Sequence, residues 1–264
     1  MTMGKKHFIP LESDPELFTG LIHELGMSRR LAFHDLLTLS PPDSNDSDDN
    51  DGGGGSNSDS LLASVPRPAL ALIVVIPAPE GYTARLAEEE TDVVAHDGRG
   101  DEERVMFYHQ TIGNACGLYA TLHAVSNGEA RAFVEPGTHI ARLIEQCTPL
   151  GPEGRIAALE ADARLAAAHA AAASRGCTAP PADITVPALF AYMTFVKARR
   201  GSGRLYQVEG CRKAPVDLGC ELAADEDLLS RRALNTVRGF IEKAGNGVTH
   251  GYSAMALCVT EGAE

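Results

Sequence analysis

The segment Gln110-Thr111-Ile112-Gly113-Asn114-Ala115-Cys116-Gly117 runs straight into Leu118-Tyr119-Ala120-Thr121-Leu122-His123-Ala124-Val125. A tight turn of small residues thus delivers a cysteine to the start of an apolar, helix-forming run. A thiol at a helix N-terminus sits where unpaired backbone N–H groups and the helix dipole favour its thiolate. The thiolate is the nucleophile, so this is where a cysteine hydrolase would carry Cys116. Gln110 can offer a side-chain amide to a developing oxyanion, beside the backbone N–H of Cys116. The pattern points to acyl transfer at a carbonyl and demands a general base from elsewhere in the chain.

Working outward, the 264 residues suffice for one large domain or two small ones, and 44% hydrophobic content supplies a sizeable core. A net charge of −13 argues against nucleic acid and anionic membrane surfaces as partners. No apolar run approaches the roughly 20 residues that span a bilayer. Met1 to His7 leads into no signal-type apolar core, so a cytoplasmic setting is expected, with the nucleus as a second compartment. The cysteines at 116, 147, 177, 211, 220 and 258 form no CxxC pair and no Cys/His metal spacing. Free thiols, no metal and no cofactor are expected.

Asp14-Pro15 gives an N-cap and first helical residue; Leu17, Phe18, Leu21, Ile22 and Leu25 follow at helical spacing and Gly26 stops them. Residues 41–59, rich in Asp, Gly and Ser, lack apolar side chains and are expected to be a disordered insertion. Their Asp/Asn alternation lacks the Gly and closing Glu of a calcium loop. The apolar run Ala69 to Ile76 predicts a strand buried on both faces. The charged stretch 84–104 reads as a solvated helix end plus a loop. Residues 155–173 are rich in helix formers. Tyr192–Val196 and Arg204–Val208 flank a Gly/Ser turn and predict a hairpin; 228–241 has helical spacing, and Tyr252–Val259 predicts a last strand. Together these indicate an α/β chain of the α+β type with a mainly antiparallel central sheet flanked by helices.

At this point the chain resembles the ubiquitin C-terminal hydrolases, papain-like cysteine deubiquitinases. The resemblance rests on Phe8-Ile9-Pro10-Leu11-Glu12-Ser13-Asp14-Pro15-Glu16, on Ser64-Val65-Pro66-Arg67-Pro68 before the apolar strand, and on the Gln110–Gly117 segment. It continues through Leu205-Tyr206-Gln207-Val208-Glu209-Gly210 and Tyr252-Ser253-Ala254-Met255-Ala256-Leu257. It implies one catalytic domain over 6–262, interrupted by the insertion, with a knotted backbone and a crossover loop at 175–186 that limits leaving-group size. It further implies Cys116 as nucleophile, Gln110 in the oxyanion hole, and Glu12 with the acidic surface as contacts for ubiquitin or a ubiquitin-like modifier. The expected triad acid is an aspartate, and Glu209 occupies its place. The base histidine falls at Ala191, and no histidine occurs between His169 and His250. His123 reads as a structural histidine, His169 as a surface one, and His109 as a neighbour able to approach the site. The resemblance therefore implies a monomeric thiol hydrolase that releases small adducts from ubiquitin's C-terminal glycine. The alternative is an impaired or inactive ubiquitin-binding pseudo-hydrolase.

Overall fold

The computed structural model describes residues 5–41, 57–78, 80–200, 202–244 and 251–260. The expected insertion lies outside them, apart from Pro41 and residues 57–59, which open a helix. Elements follow in the order α1 (Pro15–Leu25), β1 (Leu31–Asp35), α2 (Asn57–Ala63), β2 (Ala69–Pro77), α3 (Tyr82–Glu89) and α4 (Cys116–Ser126). A 3-10 helix (Gly128–Phe133) leads to α5 (His139–Cys147), α6 (Pro152–Ala161) and α7 (Ala163–Ala173). Then come β3 (Phe190–Lys197), β4 (Arg204–Val208), β5 (Val216–Glu221), α8 (Arg231–Ala244) and β6 (Ser253–Val259).

The six strands form one sheet in the order β1-β6-β2-β3-β4-β5, with antiparallel neighbours throughout. β2 is central and buried along Ala69–Ile76, so both its faces need apolar side chains and the run has no polar alternation. Alternate residues of β3 serve different cores. Tyr192 and Val196 join a cluster with α1 and α4; Ala191, Met193 and Phe195 join another with α8, Leu36 and Tyr82. The sheet thus separates two hydrophobic cores, with helices on both faces.

Local chemistry accounts for the element ends. Asp14 Oδ1 accepts from the N–H groups of Glu16 (2.7 Å) and Leu17 (3.1 Å), and Gly26 leaves α1 at φ 105°. The helix-forming stretch 155–173 is two helices rather than one. Asp162 adopts extended backbone and its side chain accepts from Leu165 N–H, ending α6 and capping α7. The charged stretch 84–104 is only partly solvated, because Glu90 and Glu103 are buried in ion pairs. Glu103 forms a fork with the fully buried Arg155 at 2.7 and 2.6 Å, and Glu90 meets Arg212 at 2.6 Å. Sequence distances of 52 and 122 residues separate these partners, so no local pattern announces them.

Candidate active site

Helix α4 carries Cys116 as its first residue, on the sheet face that holds the first core. Gly117 to Ser126 are all buried, which explains the small residues of this helix. A Cβ at Gly117 would lie 3.2 Å from side-chain atoms of Leu11 and Phe18. Asn114 turns the chain into the helix at φ 57°, a left-handed conformation that asparagine tolerates better than most residues. Its side chain spans to the segment after α7: Nδ2 donates to Ile184 O (2.8 Å) and Val186 O (3.1 Å), and Oδ1 accepts from Ala188 N–H (2.9 Å). The expected crossover segment is thereby tied to the residue two before the nucleophile.

No side chain caps α4, which leaves its first N–H groups to the site. The N–H groups of Gly117 and Cys116 favour a thiolate, but desolvation of this partly buried residue outweighs them. Burial, helped by the negative charge of Glu209, pushes the Cys116 thiol up to about 12. The helix terminus alone therefore does not ionise this cysteine. Gln110 Nε2 donates to Ile112 O at 3.0 Å, leaving its second N–H hydrogen for another acceptor.

Glu209 follows β4 and is 3% exposed. Gln110 N–H donates to Gly210 O at 2.8 Å, and a Cβ at Gly210 would stand 2.7 Å from Gln110 Cβ. The glycine permits this close approach, so the acid segment lies directly against the nucleophile segment. Burial raises the Glu209 carboxyl to about 7, against the opposing pull of Arg212, Tyr82 and Gln207. Tyr82 Oη (3.2 Å) and Gln207 Nε2 (3.3 Å) donate to Oε2, and Arg212 Nε stands 3.6 Å from the same oxygen.

Ala191 is buried beside Ile76 of β2, its register partner. Thr194 pairs with Val208, so the continued antiparallel register puts Met193 opposite 209. Ala191, two residues from Met193, therefore shares a sheet face with Glu209. Tyr192, its neighbour, faces the other way and donates from Oη to Leu11 O at 2.8 Å.

His123, His169 and His109 are engaged by other bonds. His123 is fully buried, accepts from Tyr108 N–H at Nε2 (3.0 Å) and stacks on Phe107; burial depresses its imidazole to about 3. His169 is buried rather than on the surface: its Nε2 donates to Ile9 O at 2.8 Å and its ring lies 4.6 Å from that of Phe8. His109 Nδ1 meets Arg212 O at 3.3 Å. His250 lies outside the described residues.

Glu12 accepts a short hydrogen bond from Thr178 N–H, which holds its carboxyl below the usual carboxylate range. Its observed partner thus lies in the 175–186 segment, a contact 166 residues away in sequence. Tyr82, which closes over Glu209, was missed by sequence reasoning. Its only signal is a tyrosine near the start of a short helix.

A cysteine on an uncapped helix N-terminus, an adjacent amide and a buried carboxyl on a neighbouring segment sit on a three-layer α/β frame, a setting suited to thiol chemistry. The family model described as ubiquitin carboxyl-terminal hydrolase, family 1, matches residues 8–242, and the chain belongs to that family. A ubiquitin carboxyl-terminal hydrolase of Aplysia californica is 31% identical over 242 residues, covering 91% of this chain and 97% of its own. Isozyme L1 of Homo sapiens is 28% identical over 252 residues, covering 94% and 97%. Among solved structures, the Trichinella spiralis UCH37 catalytic domain bound to ubiquitin vinyl methyl ester superposes with a TM-score of 0.66. It is 20% identical, and the match covers 98% of this chain and 99% of that one, a likeness of fold.

Proposed function

We propose that this protein is a thiol-dependent hydrolase that cleaves small adducts from the C-terminal glycine of ubiquitin, by way of a thioester on Cys116. The observation that carries this reading is the bond from Gln110 N–H to Gly210 O, which seats the segment leading to Cys116 against the segment that follows Glu209. Cys116 attacks the glycine carbonyl, its own N–H and the Gln110 amide receive the oxyanion, and water releases the thioester. The segment 175–186, held by Glu12 and Asn114, limits the leaving group to small ones. The partner protein named in the Trichinella match supports ubiquitin as the substrate. The protein acts as a monomer in the cytoplasm.

The second reading is a ubiquitin-binding pseudo-hydrolase, favoured by the methyl group of Ala191 where the family's base would stand. Cleavage of a ubiquitin–fluorophore conjugate separates the two. The hydrolase reading expects turnover that Cys116→Ala abolishes. Turnover equal in both proteins, with ubiquitin still bound, would leave the pseudo-hydrolase.

A further inference from the structure

Asn114 stands at φ 57° between Gly113 and Ala115 and is 8% exposed. Glycine would meet that backbone conformation with no side chain at all. What asparagine adds is an amide whose two N–H hydrogens and carbonyl oxygen all go to one distant segment. Nδ2 donates to Ile184 O (2.8 Å) and Val186 O (3.1 Å), and Oδ1 accepts from Ala188 N–H (2.9 Å). All three bonds reach backbone, while the side chains of Ile184 and Val186 stay exposed. The other end of the segment is fixed at Glu12, which accepts from Thr178 N–H. That end is firm as well. Leu11, next to Glu12, accepts from Tyr192 Oη at 2.8 Å, and its side chain lies 3.2 Å from where a Cβ would stand on Gly117. One foot of the segment thus rests on the residue two before Cys116. The other rests beside the leucine that packs against the residue after it.

The free stretch between the feet is short. Only Ala179 to Asp183 lie between Thr178 and Ile184, and Pro180-Pro181 stiffens them. The Cα steps from Thr178 to Ile184 reach at most about 20–22 Å. Without the Asn114 bonds, the next fixed point is Leu189, whose carbonyl accepts from Ala78 N–H at 2.7 Å. The span from Thr178 to Leu189 then reaches about 36–40 Å. Without the Glu12 bond, the next fixed point is Gly176, whose N–H donates to Ala173 O at 3.2 Å. The span from Gly176 to Ile184 reaches only about 26–29 Å.

We propose that Asn114 is a specificity-determining residue: by pinning residues 184–188 its amide sets the size of the leaving group that passes beneath the arch, with Glu12 as a weaker second staple. The proposal rests on the reading above of Cys116 as the place where ubiquitin's C-terminal tail lies. An arch of about 20–22 Å admits an extended chain or a small adduct. A folded helical miniprotein of about 35 residues is roughly 22 Å across, so an arch over it must run about 35 Å. Of the two single releases, only that of Asn114 lengthens the span so far.

The experiment uses ubiquitin joined through its C-terminal glycine to such a miniprotein, in a folded form and in a core-disrupted, unfolded form of equal length. The readout is the preference, the ratio of kcat/KM for the unfolded adduct to that for the folded one. The same preference is taken from dissociation constants in the Cys116→Ala background, where no turnover is needed. The wild type should prefer the unfolded adduct by about tenfold or more. Asn114→Gly keeps the backbone conformation and removes the amide, and it should cut the preference by at least about threefold. Glu12→Ala should cut it less. A five-glycine insertion between Pro181 and Ala182 gives the arch about 36–40 Å of reach with Asn114 in place, and it should relax the preference as Asn114→Gly does. Thermal midpoints show which variants fold, and the insertion carries the test if Asn114→Gly does not. A wild-type preference below about tenfold, a cut of less than about threefold in folded Asn114→Gly or in the insertion variant, or an equal cut by Glu12→Ala overturns the proposal. Wild-type turnover no greater than that of Cys116→Ala overturns the hydrolase reading instead, and the dissociation constants then decide the proposal alone.

Discussion

Arg155→Met removes a fully buried charge. Arg155 is fully buried, and its guanidinium makes four bonds: two to Glu103 at 2.7 and 2.6 Å, and one each to Phe107 O and Cys147 O at 3.0 Å. Methionine approximates the volume without the donors. Glu103, its side chain only 1% exposed, is then left with His96 at 2.7 Å and Arg199 at 3.6 Å. Breaking a buried pair from one side costs about 3–5 kcal/mol, and two orphaned carbonyls cost about 1–3 kcal/mol each when they cannot reach water. Relaxation recovers part of this, so a loss of about 4–6 kcal/mol is expected. That is a large share of the roughly 5–15 kcal/mol available to a domain. Urea unfolding at pH 7, followed by circular dichroism, measures it. Because Phe107 lies three residues before Gln110, the same variant should loosen the segment that delivers the nucleophile.

The double variant Arg155→Met/Glu103→Leu adds a sharper arm. With both charges gone, the stranded carboxylate is gone too, and the double variant should be more stable than Arg155→Met alone by about 2 kcal/mol. Acid unfolding gives a further check. Burial pushes the Glu103 carboxyl up, but bonds from His96 and Arg155 outweigh it and hold the group below its ordinary value. A depressed carboxylate contributes stability that is present above its ordinary value and lost as pH falls through the folded one. Arg155→Met should shrink this contribution, so less stability is lost on acidification below pH ~4.5. A loss below about 1.5 kcal/mol at pH 7, or strictly additive costs in the double variant, would refute the idea that this pair is a coupled, water-free unit.

Three further outcomes are expected. Asn114→Ala loses the three bonds to 184–188 and places alanine at φ 57°, at a cost of about 1–2 kcal/mol; limited proteolysis should cut 175–189 faster, and unchanged cleavage would remove the tether from the account. His123 is neutral when folded down to about pH 3 and protonates near 6.5 when unfolded, so it lowers stability progressively as pH falls between those values; His123→Gln should flatten that part of the curve in urea titrations, and a slope identical to wild type would contradict it. Ala191→His should raise ubiquitin–fluorophore turnover by roughly 100-fold or more and place the inflection of its pH profile in the imidazole range; no rise in a folded variant would mean that position 191 does not reach the nucleophile.

The sequence by itself determined the elements whose signals are local. The Asp14-Pro15 start and Gly26 stop of α1 appear as expected because a cap is written within four residues of its partners. β2 is legible because burial on both faces demands an unbroken apolar run. The β3–β4 hairpin follows from its turn, and the position of Cys116 at the head of α4 follows from the small residues before it. Some elements escaped: β1 carries no comparable signal, α5 was missed although Thr138 caps it and Ile140, Leu143, Ile144 and Cys147 repeat at helical spacing, β5 was missed although apolar and polar residues alternate along it, and the break at Asp162 needed the side chain's bond to Leu165 N–H to be seen. Only the tertiary structure decided what surrounds the chemistry. It buried Glu90 and Glu103, engaged Glu12 with Thr178, closed Tyr82 over Glu209 and desolvated the partly buried Cys116 thiol that its helix terminus would otherwise favour as a thiolate. The physical reason is range. Capping and periodicity act within a few residues, whereas desolvation and ion pairing depend on groups brought together from 52 to 166 residues apart, and those two effects set the proton affinities at this site.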